Sequence, residues 1–166
     1  MNVAQQALAV ARIAIGGGSP DERARVVAWD RLRSMLSTLD SKTSVLLRFN
    51  AIVVAALAYL VVVRGSDPFV ASSATVKAVG LFVGHVSLVV SVVSCGFAFP
   101  VINVAWSFFG SRIDRISGDV PAFDAAALAG LAELVVHRTR FYSWAWRFAV
   151  AGGVGFAVLV GLATIH

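Results

Sequence analysis

LDSKTSVLLRFNAIVVAALAYLVVV, Leu39 to Val63, runs from a charged helical entry into an apolar stretch long enough to enter a bilayer. From Val45 to Val63 there are 19 residues whose only strongly polar members are Arg48 and Asn50. A helix needs about 20 such residues to cross the hydrocarbon core. The stretch therefore reads as a first membrane span over 45–63, with Asp40, Ser41 and Lys42 at its mouth.

Working back toward the N-terminus, Trp29, Leu32, Leu36 and Leu39 recur at spacings of three and four, and Thr43, Leu46 and Asn50 continue that stripe. No proline or glycine interrupts it, so one helix is expected from Pro20 to Val63, its first half a stalk over 20–44. Ser19, Pro20, Asp21 and Glu22 have the order of an N-terminal capping box. Before them, Gly16, Gly17 and Gly18 break any helix, which leaves 1–18 as a separate segment. Its residues 2–15 set Gln5, Gln6 and Arg12 against Val3, Leu8, Val10 and Ile13, a pattern suited to lying on a membrane surface. Met1 to Ile15 lacks the basic start and cleavage site of a signal peptide, so no targeting is expected beyond the spans themselves.

Downstream, Arg64 to Ala78 is turn-rich, with Gly65, Asp67 and Pro68. A second span follows over 79–99, where Gly80 and Gly84 form a GxxxG pair and Ser87, Ser91 and Cys95 extend a small-residue track. Pro100 should kink this helix, 100–110 should lie at headgroup depth with Asn103 and Trp106, and Gly110 should end it. Ser111 to Asp119 reads as a turn, and Pro121 opens a last helix, a stalk over 121–143 and a span over 144–164. Its Phe123, Ala127, Leu131, Leu134 and Val135 make an apolar stripe that can pack on the Trp29 and Leu36 stripe. Tyr142, Trp144 and Trp146 have the character of an interfacial aromatic belt. Gly153, Ala157 and Gly161 offer a second small-residue face. The expected fold is an all-α membrane protein with three transmembrane helices, two extended as stalks, forming one helical membrane domain over 19–166.

Composition agrees with lipid as part of the solvent, since 58% apolar and only 14% charged residues cannot cover a soluble globule. Seven of the 14 Lys and Arg (Arg12, Arg23, Arg25, Arg31, Arg33, Lys42, Arg48) precede the body of the first span and five (Arg112, Arg115, Arg138, Arg140, Arg147) lie between the second and third. The remaining two, Arg64 and Lys77, flank the other connection. The positive-inside rule then places the N-terminus in the cytoplasm and the C-terminus outside. Cys95 is the only cysteine, which excludes an internal disulfide and a thiolate metal cluster. His85, His137 and His166 are far apart, the GGG run lacks the lysine of a phosphate loop, and no catalytic constellation is visible, so neither an enzyme nor a bound metal is expected. His85 alone is weak evidence for proton relay, and no Asp or Glu lies within any span, which argues against a proton-coupled transporter.

Candidate sites carry two readings each. Arg48 either snorkels to headgroups or meets a ligand, and Asn50 either bonds a neighbouring helix or fixes oligomer register. Lys42, Arg48, Arg112, Arg115, Arg138, Arg140, Tyr142 and Trp144 gather at the inner surface in this topology. They serve either topology and lipid contact or a pocket for an anionic cytosolic ligand. Gly80, Gly84, Ser87, Ser91, Gly153, Ala157 and Gly161 serve packing within one chain or between copies, and three spans per copy are too few to enclose an aqueous path. A homo-oligomer is therefore expected.

Three pieces in order, DSKTSVLLRFNA at the first span, SFFG (Ser107 to Gly110) after the second, and HRTRFYSWAWRFA (His137 to Ala149) at the third, resemble the transmembrane effector domain of the Pycsar anti-phage family. The likeness covers most of 30–160; Thr43 stands where alanine is commoner. It implies an inner-membrane effector that responds to cyclic CMP or cyclic UMP, made by a partner nucleotide cyclase, by rearranging and impairing membrane integrity. Nucleic acid is not implied as a partner. No stretch resembles a cyclic-nucleotide-binding β-roll, so sensing would fall to the stalks or to a partner. The alternative is a non-signalling membrane scaffold, for which the same helices need only pack.

Overall fold

The computed structural model describes residues 3–16, 22–65, 73–113 and 125–165. Within them are four α-helices: α1 (Val3–Gly16), α2 (Glu22–Ala58), α3 (Ala74–Ile113) and α4 (Ala125–Ile165). The capping box at Ser19 to Asp21, Ser66, Pro68 and Ser72 of the first connection, Asp114 to Asp119 and the expected helix opening at Pro121 lie outside the described residues.

The expected single α-helix to Val63 holds its hydrogen-bond ladder only to Ala58, then widens into a π-turn over Tyr59–Val63. The Arg64 amide donates to the Tyr59 carbonyl at 3.0 Å, and Gly65 leaves the turn at φ +54, which a residue without a Cβ adopts at no steric cost. Within this turn Val61 is buried. Ser73 starts α3: its carbonyl takes the Lys77 amide at 3.1 Å and its hydroxyl accepts from the Val76 amide at 3.4 Å. The helix runs through Pro100 and past Gly110 to Ile113 rather than ending at the glycine. A helical glycine costs only about 1 kcal/mol, which does not stop a helix by itself.

The chain divides into two compact units, Met1–Thr43 with Pro100–Tyr142 and Ser44–Phe99 with Ser143–His166. The changes at Thr43/Ser44 and Tyr142/Ser143 fall beside the ends of the stalks read from the sequence, at 44 and 143.

The first unit has a water-soluble pattern. Ala28, Leu32, Leu36 and Leu39 of α2 join Leu128, Leu131, Ala132 and Val135 of α4 in one buried cluster, with Trp29, Leu134 and Tyr142 packed against it. Asp30, Arg31, Arg33, Lys42, Glu133 and Arg140 are exposed. Fully burying a leucine contributes about 1.5–3 kcal/mol, so the leucine stripes carry this packing. The cluster also takes in Ala7 and Ala11 of α1, while Leu8 and Ile13 stay exposed. The alanine face of α1 packs in this cluster, because alanines let a helix axis approach closely.

The second unit is patterned the opposite way. Asn50, Ser87, Ser91 and Ser94 are buried, whereas Ile52, Val62 and Phe82 are 70–71% exposed and Val89 and Val154 follow. Polar groups inside and large apolar groups outside are stable only where the surrounding solvent is hydrocarbon. Three helices are each long and apolar enough to cross a bilayer. The chain is a multi-pass membrane protein.

Candidate functional site

Polar chemistry concentrates in two places, one in each unit. In the first, α4 carries Leu131, Val135, Arg138 and Tyr142 on one inward face, at spacings of four, three and four. Arg138 is thus carried into the core by the stripe that packs the helix, and it is only 2% exposed. Its Nη1 donates to Asp40 Oδ1 of α2 at 3.1 Å. Burial pushes the Asp40 carboxyl up, with the Arg138 charge opposing, and pushes the guanidinium down, with Asp40 opposing. Nε and Nη2 of Arg138 have no hydrogen-bond partner. Thr43, also fully buried, is satisfied within its helix by donating to the Leu39 carbonyl at 2.7 Å.

In the second unit, Asn50 Nδ2 donates to Ser94 Oγ at 2.7 Å, and Ser94 Oγ donates to the Ala145 carbonyl at 2.6 Å. One relay thereby ties α2, α3 and α4. Beside it, Ser91 lies against Gly152 and Ser87 against Gly155, so closely that a Cβ on either glycine would collide with the serine hydroxyl. Gly84 has Val61 Cγ2 2.6 Å from where its Cβ would stand, with Leu159 next to it. Gly80 lines a small apolar niche with Leu60, Val61, Leu81 and Leu159.

The other candidate residues are dispersed. Lys42, Arg48 and Arg140 are exposed, and Tyr142 is half-buried. Trp144 is exposed, with the Arg147 guanidinium 5.2 Å from its ring centre and Phe148 stacked at 6.0 Å. The side chain of Arg112 and the whole of Arg115 lie outside the described residues. Gly153 has only the Phe49 ring nearby, Ala157 is exposed, and Gly161 has open space beside it, so these three lie off the close contact that Gly152 and Gly155 make. His85 sits at 2.8 Å from the Leu81 carbonyl on its own helix. Among the described residues no group of His, Cys, Asp or Glu could hold a metal ion.

Sequence reasoning missed the pairing of Asp40 with Arg138, 98 residues apart, and the roles of Ser94, Gly152 and Gly155. The 3–4 spacing of Ser87, Ser91 and Ser94 was the available signal for the seam. No local signal joins Asp40 to Arg138. No family model matches the chain, and neither a characterised protein nor a solved structure does.

Proposed function

We propose that this chain is a membrane effector of a bacterial anti-phage signalling system of the Pycsar type, triggered by cyclic CMP or cyclic UMP and acting by oligomer rearrangement that impairs the inner membrane. The observation that carries the reading is Asp40, within the DSKTS piece of the resemblance, meeting Arg138, within the HRTRF piece, in the water-patterned unit. Two of the resembling stretches therefore come together on a buried cation with donors to spare. In the proposed orientation this unit faces the cytoplasm, where a diffusible nucleotide arrives, and the lipid-patterned unit carries the response. A ligand acts only by differential affinity for two arrangements of the helices. Gly153, Ala157 and Gly161, off the intrachain contact, are the face offered for assembly of copies.

The test is dye release from liposomes holding the purified chain, with cyclic CMP, cyclic UMP and other cyclic nucleotides added in turn. Release confined to a cyclic pyrimidine nucleotide is expected. Release that no nucleotide changes would favour the scaffold reading, which the Asn50–Ser94–Ala145 relay supports as a means of locking three helices.

A further inference from the structure

Arg138 is an arginine left half-used. A guanidinium has five N–H donors, and only Nη1 meets an acceptor here. The side chain is 3% exposed, so bulk water does not reach the rest. A buried donor left unmet keeps its full desolvation penalty, and a charged group more so. Nε and Nη2 form one edge of the guanidinium, with parallel N–H bonds set to take two oxygens of a single anion. Asp40 meets the group at Nη1 and leaves that buried edge without an acceptor.

Charge narrows the ligand. Asp40 already opposes one negative charge to the arginine, so a dianion at the Nε/Nη2 edge would meet carboxylate repulsion. A phosphodiester carries one delocalised charge on two non-bridging oxygens and suffers less on leaving water than a carboxylate does. Its organic substituents suit the surrounding face, where Val135 and Tyr142 flank Arg138 on α4 and Leu39 precedes Asp40 on α2. The Asp40 side chain is 41% exposed and marks the side open to solvent.

We propose that the Nε/Nη2 edge of Arg138 is a receptor for a phosphodiester monoanion, with Asp40 as the positioning residue that holds the guanidinium by its other end. A cyclic mononucleotide and a phospholipid headgroup share this chemistry. The inference rests on the functional reading above only for the first of these sources.

The experiment uses the full chain in maltoside micelles and phosphate-free buffer. Isothermal titration is run with cyclic CMP, cyclic UMP, cyclic AMP, cytidine and a short-chain phosphatidylglycerol, and thermal melts confirm that each variant is folded. At least one phosphodiester is expected to bind and cytidine is not. Arg138→Lys, which keeps the charge but loses the fork, should weaken binding about tenfold or more. Asp40→Asn, which removes the competing carboxylate, should hold or tighten it. Binding by the lipid alone, with the same dependence on Arg138, supports the receptor and removes the nucleotide trigger. No phosphodiester binding, binding that Arg138→Lys leaves unchanged, or loss with Asp40→Asn overturns the receptor. Should liposome release still answer to a nucleotide in that case, the functional reading survives with its ligand elsewhere.

Discussion

Arg138 Nη1 stands 3.1 Å from Asp40 Oδ1, and the two side chains differ sharply in exposure, 3% against 41%. The pair is therefore asymmetric: the arginine depends on the aspartate more than the reverse. Asp40→Ala leaves a buried cation without its counter-charge. Losing one partner of a fully buried pair costs about 3–5 kcal/mol, and the exposure of Asp40 reduces that to about 2 kcal/mol. Arg138→Met removes the cation along with its unmet donors and should cost less than Asp40→Ala. Thermal melts of both variants in the same micelles check the order; a larger loss for Arg138→Met would show that the arginine is held by more than this contact.

The Asn50 relay makes a second expectation. Asn50→Ala removes the donor to Ser94, a bond worth about 0.6 kcal/mol and at most about 1.7 kcal/mol by analogy with other membrane helices. Ser94→Ala removes both bonds of the relay and should cost more. Unfolding in graded denaturing detergent measures both.

Close helix contact at Gly152 and Gly155 makes a sharper one. Gly152→Val or Gly155→Val drives a side chain into Ser91 or Ser87, and the folded membrane unit should be lost. Gly161→Ala, with open space beside it, should be tolerated, and Gly153→Ala nearly so. Gly84→Leu belongs with the first group, since Val61 and Leu159 occupy its surroundings. Protease resistance of the membrane-inserted variants separates the two groups; equal behaviour would contradict the seam.

Orientation is tested by a reporter fused after His166. Twelve basic residues on one side of the spans against two on the other predict a C-terminus outside the cytoplasm. A fusion active only in the cytoplasm would reverse the topology.

What the sequence by itself determined is whatever depends on neighbours within a turn or two. Three apolar stretches reveal the membrane helices, because span length is a sum over consecutive residues. The stripe Leu32, Leu36, Leu39, Thr43, Leu46, Asn50 appears buried along its whole length, because helical period alone sets which residues share a face. The tertiary structure decided the rest. That Asp40 faces Arg138, 98 residues away, depends on how their two helices register, and no local spacing encodes that register. The choice of Gly152 and Gly155 over Gly153, Ala157 and Gly161 turns on rotation about the α4 axis. One residue advances a helix by about 100°. A small-residue track is thus visible from the sequence, but which of two adjacent tracks meets Ser87 and Ser91 is settled only when the serines and the glycine backbone come into contact.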